Sequence, residues 1–276
     1  MPLSEPDWCG CEEDHAFRSQ VIQWLLHQKA AQPTHACSGT NVIPRVIVQY
    51  WHDHRSLPSD VEACLNSWQP LSRKGFQQEL FDDERARLFI MQNFKAEYVD
   101  AFDLCYHPAM RCDYFRLCYV LRCGGFYVDA DEVYQGTECE SLLYDGRIKL
   151  QPLCYDTATE AMVTLEECLN DTRCPSSRIF YLNNNPLIAP AGHPLLNLAL
   201  QRATRILLQR TERPDIQSTT GPGNLSASLV RHVINAQQTD AKWEFSILRN
   251  WERISTCRWF LSYRNDERNW RLLKTK

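Results

Sequence analysis

Apolar residues fall on almost every side of the helical wheel from Met110 to Cys123, which predicts a buried helix rather than a surface one. Gly124-Gly125 follow. Glycine takes the left-handed cap conformation without steric penalty, so the helix is expected to stop there. Phe126-Tyr127-Val128 then carry strand propensity. Side chains alternate along a strand, so Asp129 and Asp131 leave on the same side. The rest of the chain is arranged around this helix, break, strand and acidic pair.

Before it, Phe17–Lys29 has Val21, Trp24, Leu25 and Gln28 spaced for one helical face, and residues 31–41 read as a linker. This N-terminal helix is an accessory element that either packs on the domain or meets a partner. Arg45–Trp51 is a β-branched first strand, and Leu57-Pro58-Ser59-Asp60 opens a helix to about Trp68. Phe76–Phe81 is a second strand; Asp82-Asp83 then cap a helix to about Phe94, and a short helix covers Ala96–Leu104. After the acidic pair, Glu140–Tyr144 is a connection and Arg147–Leu153 a strand. Residues 154–178 show no clear period and read as an insertion or loop near an acceptor. Phe180–Ala189 is a strand, Leu195–Gln209 a helix, and Thr219-Thr220-Gly221-Pro222-Gly223 opens another. Trp243–Leu248 and Arg258–Tyr263 are expected as late strands. Alternating strands and helices predict an α/β fold.

Composition narrows the setting. An apolar content of 44% over 276 residues supports a sizeable core. A net charge of −4 gives no reason to expect a nucleic-acid or anionic-membrane surface. No run approaches the ~18 apolar residues of a membrane span, so no transmembrane segment is expected. Met1–Asp14 is polar and acidic, so no secretory signal is expected either. Thirteen cysteines, an odd number without a compact framework, argue against an oxidised scaffold and for cytosolic synthesis. Cys9-Gly-Cys11 lacks the other ligands of a zinc site.

Two same-facing carboxylates at a strand end suit a hard divalent cation, Mn²⁺ or Mg²⁺, shared with substrate phosphates. Asp113 and Arg116 lie on one face of the preceding helix, and buried charges are costly unless paired or used. An Asp-x-Asp triplet by itself is a weak signal; its context gives it weight. Asp113-x-x-Arg116, Gly124-Gly125-Phe126-Tyr127 and Asp129-Ala130-Asp131 together resemble the sugar-binding region of the DXD-containing glycosyltransferases. That family includes the Och1-type mannosyltransferases and the large clostridial glucosylating toxins. Ile43-Pro44-Arg45 with the closing Trp51, an asparagine strand before Gly192-His193-Pro194, and Thr220-Gly221-Pro222 extend the resemblance over about residues 43–225. Cys112 departs from it, standing where the family has a small hydroxyl residue.

The resemblance implies a GT-A type nucleotide-sugar transferase domain over residues 42–276, with a mostly parallel central sheet, preceded by a tail and accessory helix at 1–41. It implies a retaining transfer from a UDP- or GDP-sugar to a glycan or protein acceptor. Asp131 and Asp129 would hold the metal, and Asp129 would also touch the nucleotide's ribose or the sugar. Asp113 and Arg116 would grip sugar hydroxyls, Trp51 would stack on the base, and Asn184 would act near the reacting carbon. His193 would be structural. The C-terminal Asn269-Trp270 resembles a serine-tryptophan tail that closes over the donor, with Asn269 as a further metal ligand. A cytosolic enzyme and an effector secreted into a host cell fit equally. Two other classes stand beside this one. An Asp-based phosphohydrolase wants a different continuation from Glu132-Val133. A catalytically inactive nucleotide-sugar binding module would not need the full charged set.

Overall fold

The computed structural model describes residues 6–28, 42–171, 175–209, 213–239 and 244–272. In chain order the elements are α1 (His15–His27), β1 (Val46–Tyr50), α2 (Ser59–Asn66), β2 (Gln77–Phe81), α3 (Asp83–Asn93), α4 (Ala96–Asp103) and α5 (Pro108–Cys123). Then come β3 (Gly125–Tyr127), β4 (Glu132–Tyr134), β5 (Ile148–Asp156), β6 (Ala161–Val163), α6 (Leu165–Asn170), β7 (Arg178–Ala189) and α7 (Pro194–Gln209). The chain ends with α8 (Ile216–Thr219), α9 (Pro222–Thr239), β8 (Phe245–Ile247) and β9 (Ser255–Cys257).

The sheet runs β2-β1-β3-β7-β5-β6, with β8 beside β5. Pairing is parallel among β2, β1 and β3, and antiparallel through β7. The α/β class expected from the sequence is therefore found. Alternation along the strands builds two cores. Val48, Tyr127 and Leu187 face a large cluster with residues of α5, α7 and α9, while Ile47, Phe126 and Ile188 face Trp68, Leu71, Phe76 and Trp251. Buried on both faces, these strands lack the polar alternation of a one-sided sheet.

Helix α1 belongs to the large core: Val21, Ile22 and Leu26 are almost fully buried. Asp14 caps it, and the Phe180 N–H of β7 donates to Ser19 Oγ at 2.9 Å. Of the two alternatives for this helix, it packs on the domain. Lys29, the linker at 31–41, Cys174 and Trp243 lie outside the described residues. The described part of 154–178 holds the end of β5, β6 and α6, the last opened by a reciprocal Thr164–Glu167 capping box. The strand expected at Arg258–Tyr263 is not there. Ser255–Cys257 forms β9 against β4, and Ser262–Asn265 is a single 3₁₀ turn. Among the described residues no helix is long and apolar enough to cross a membrane. Cys9, Cys11, Cys64, Cys112, Cys118, Cys123, Cys139, Cys154 and Cys257 are free thiols.

Two local devices fix the helices that carry the site. The first is the glycine break. Gly124 caps α5 at φ 71°, and a Cβ there would meet the Ala191 nitrogen at 2.8 Å and Pro44 Cδ at 2.9 Å. The second is a histidine cap used twice. His107 Nδ1 accepts the Ala109 N–H at the start of α5, and His193 Nδ1 accepts the Leu195 N–H at the start of α7. His193 Nε2 lies 3.0 Å from the Glu244 carbonyl, so its role is structural, as expected. Burial, opposed by that bond, pushes its imidazole down to about 4.

Gly124→Ala should lower stability by roughly 3 kcal/mol, from left-handed strain plus the backbone clash, read as a shift in a urea transition. A midpoint like that of the wild type would mean that the break is not tightly packed. For His193 the unfolded state takes up a proton near pH 6.5 and the folded state only near 4. Its contribution is thus complete above pH 6.5 and is lost as pH falls towards 4, by up to roughly 3 kcal/mol. His193→Asn, which keeps a capping acceptor but cannot titrate, should flatten that limb of the stability–pH curve; an unchanged slope would contradict the assignment.

Candidate functional site

The C-terminal ends of β1 and β3 come out side by side, since Val48 is in register with Tyr127. Trp51 and Asp129 therefore emerge at one edge of the sheet, where α/β proteins bind ligands. Strand β7 runs the other way, with Leu187 opposite Tyr127, so its upstream residues Asn184 and Asn185 reach the same edge. The Asp129 N–H donates to Asn185 Oδ1 at 2.9 Å. Asparagines distant in sequence are thus placed against the acidic loop by strand polarity alone.

Helix α5 lies beneath this edge and supplies Arg116, which is 3% exposed. Its Nη2 donates to Asp129 Oδ1 at 2.8 Å and lies 2.9 Å from Asp113 Oδ1. Its Nη1 donates to the Asn184 carbonyl at 2.8 Å, and the guanidinium sits 4.4 Å from the Tyr127 ring centroid. Arg116 Nε is buried without a partner among the described residues. Asp113 in turn accepts from Asn184 Nδ2 at 2.8 Å and from Thr220 Oγ1 at 3.5 Å. The Thr-Gly-Pro segment therefore shapes the wall around Asp113. A Cβ on Gly221 would stand 3.3 Å from Asp113 Oδ2, a tight contact that would press on the carboxylate.

Burial raises the Asp113 carboxyl, against the opposing pull of Arg116, Asn184 and Thr220. Asp129 is pushed up to about 6: burial raises it, Arg116 opposes, and the Asp131 charge adds to the rise. Burial pulls the Arg116 guanidinium down, but Asp129, Asp113 and its other neighbours together hold it well above its ordinary value, so it stays charged. Cys112 lies 3.8 Å from Asp129 Oδ1 and 2.8 Å from the Tyr127 hydroxyl, and burial pushes its thiol up to about 12. Its neutral sulfur also accepts from Arg116 Nη2 at 3.1 Å, so Cys112 is part of the same network.

Asp131 looks the other way, to the C-terminal segment. Its Oδ2 accepts from Arg264 Nη2 and, at 2.9 Å, from Tyr263 Oη; its carbonyl accepts the Arg258 N–H at 2.8 Å. Trp51 is 7% exposed, with Tyr263 edge-on at 5.2 Å and Arg268 Cζ 5.9 Å from its ring, and its indole N–H has no acceptor among the described residues. Asn269 braces this segment's own turn: Nδ2 donates to the Arg264 carbonyl at 2.7 Å, and Oδ1 accepts the Arg271 N–H at 3.2 Å. The structure thus gathers Asp113, Arg116, Asn184 and Asp129 into one network, sets Asp131 beside it, and keeps Asn269 in the tail.

Three further residues belong to the site that the sequence did not reveal: Asn185, Glu132 and Arg264. Asn185 links Asp129 to Glu132, donating from Nδ2 to Glu132 Oε1 at 2.9 Å. Ser255 of β9 donates to the other Glu132 oxygen. Glu132 is 4% exposed, and burial raises its carboxyl to about 7. Arg264 is the third. Its only trace in the sequence is four arginines between residues 258 and 271 of a chain with net charge −4.

The residues that would hold a hard divalent cation are Asp129 and Asp131. Among the described residues nothing donates to Asp129 Oδ2 or Asp131 Oδ1, and the Asp131 charge raises the cost of ionising Asp129. No cluster of three His, Cys, Asp or Glu side chains is placed to hold a metal among the described residues. The protein would thus offer one oxygen from each aspartate, leaving the remaining positions to ligand phosphate and water.

No protein-family model matches the chain. It is 33% identical over 97 residues to "Uncharacterized glycosyltransferase L373" of Acanthamoeba polyphaga mimivirus. The match covers 33% of this chain and 37% of the viral protein, so the chain spans little more than a third of that relative's length. The solved structure of the PaToxG glycosyltransferase aligns over 81% of each chain, with 15% identity and a TM-score of 0.45.

Proposed function

We propose that this chain is a glycosyltransferase that moves a sugar from a UDP- or GDP-sugar to a glycan or protein acceptor, with retention at the anomeric carbon. The observation that carries this reading is the network of Asp113, Arg116, Asn184 and Asp129 at one strand edge, with Asp131 beside it in the chain. The family pattern in residues 109–134, and the glycosyltransferase name of the viral relative, support the same class.

Each residue then has a chemical task. Asp131 and Asp129 would hold Mn²⁺ or Mg²⁺, which as a Lewis acid neutralises charge on the departing diphosphate. Asp113 and Arg116 orient sugar hydroxyls, and their mutual ion pair holds them in place before the donor arrives. Arg116 also fixes one oxygen of Asp129, which leaves the other free to act as a ligand. Asn184 presents its carboxamide beside the sugar, near the reacting carbon. Trp51 offers its ring to the base once Tyr263 and Arg268 move aside. Asn269 joins the metal set if its amide oxygen leaves the Arg271 N–H. The full charged network favours turnover over a binding module without activity, since a passive site needs no such concentration of buried charge.

The test is hydrolysis of a panel of UDP- and GDP-sugars with Mn²⁺ or Mg²⁺. The wild type should turn over at least one donor and lose that activity in EDTA. Asp131→Asn and Asp129→Asn should each lower kcat/KM by about 100-fold or more, the usual cost of removing a group that stabilises leaving-group charge. Wild-type turnover in the double variant would end the proposal; donor binding without turnover in the wild type would favour the inactive module.

A further inference from the structure

Arg264 has no task in the chemistry above, yet it sits on the residue that chemistry most depends on. Its Nη2 donates to Asp131 Oδ2, the same oxygen that Tyr263 Oη reaches at 2.9 Å. The guanidinium stacks 4.4 Å over Trp259, and its Nε is buried with no acceptor among the described residues. The same segment covers the base platform, through Tyr263 and Arg268 on Trp51. It is anchored away from these contacts too. Asp60 accepts the Ser262 N–H at 2.6 Å and its hydroxyl at 3.0 Å, and His107 Nε2 lies 3.0 Å from the Glu267 carbonyl. The groups assigned to cation and base are thus both held by residues 258–268.

We propose that Arg264 is a residue of the transfer site that alternates between two anions: Asp131 when the site is empty, and the diphosphate of the donor when it is filled. The inference rests on the donor reading above. A guanidinium and a divalent cation are like charges competing for one carboxylate, so cation binding weakens the hold of Asp131 on Arg264. The Arg264 guanidinium is mostly covered, so once its carboxylate is drawn off it favours a new anion. The diphosphate arrives with the cation, and its oxygens match the planar arginine fork. Arg264 Nε already lacks an acceptor, and the indole of Trp259 keeps the guanidinium at the site while its partner changes. The handover links filling of the cation position to release of Trp51 by the same segment.

The experiment compares the full-length wild type with Arg264→Gln, Arg264→Lys and Tyr263→Phe. Free Mn²⁺ is followed by electron paramagnetic resonance during titration with MnCl₂ alone. UDP and GDP are then titrated calorimetrically at saturating Mn²⁺. Arg264→Gln should bind Mn²⁺ alone about tenfold more tightly, since a competing cation is gone. It should bind the nucleotide about tenfold more weakly, since a charge-assisted contact is lost. Arg264→Lys should fall between the two, and it carries the comparison if the glutamine variant melts early. Tyr263→Phe, which takes a neutral donor from Asp131, should change Mn²⁺ affinity less than Arg264→Gln does, and an equal change would overturn the competition between charges. Unchanged or weaker Mn²⁺ binding in Arg264→Gln overturns the competition, and unchanged nucleotide affinity overturns the handover. If neither Mn²⁺ nor nucleotide binds the wild type or any variant, the donor reading falls first and this inference with it.

Discussion

The site depends on one buried cation. Arg116 is almost wholly removed from water and touches Asp113, Asp129 and the Asn184 carbonyl, which come from three separate elements. Two carboxylates around one guanidinium leave a net negative charge, and that surplus is what a cation and polar sugar hydroxyls would meet. Removing one partner from such a buried set typically costs about 3–5 kcal/mol, because a charge is left uncompensated. The network therefore fixes geometry at a strand tip with no regular hydrogen-bond ladder of its own.

The sheet explains how residues far apart in sequence meet there. Parallel pairing of β1 with β3 sets Trp51 next to Asp129, and antiparallel pairing of β3 with β7 returns Asn184 and Asn185 to the same edge. Asn185 bridges the Asp129 backbone to Glu132, and Glu132 reaches β9 through Ser255. The acidic loop is thus braced from β7 on one side and from the chain's last strand on the other. That last strand leads directly into the segment carrying Tyr263 and Arg264, so the C-terminal end of the chain is tied to the loop it covers.

Much of this was legible in the sequence because it follows from short-range rules. The all-round apolar character of α5 and the glycine break each need only a dozen residues of context, whereas the same-side exit of the acidic pair fails: β3 ends at Tyr127, and beyond it Asp129 turns to Arg116 and Asp131 to Arg264. The β4–β9 pair was not legible, since three-residue strands carry too little periodicity. Arg258–Tyr263 reads as a strand because its aromatics have strand propensity, but they are spent on Asp131 and Trp51 instead. Among the asparagines of β7, sequence spacing singled out Asn184. It could not show that Asn185 braces the Asp129 backbone, because that depends on register across β3 and β7. Arg264 was invisible for the same reason: its partner is more than a hundred residues away.

The central claim is that the free oxygens of Asp129 and Asp131 hold a cation against a diphosphate while Arg116 keeps Asp129 in place. Anomalous diffraction at the manganese edge, from crystals grown with Mn²⁺ and UDP or GDP, examines it most directly. The account expects a single strong peak between Asp129 Oδ2 and Asp131 Oδ1, touching the diphosphate, with Arg116 still bonded to Asp129 Oδ1. A nucleotide bound with no peak there, or with both carboxylates turned away from it, would contradict the account.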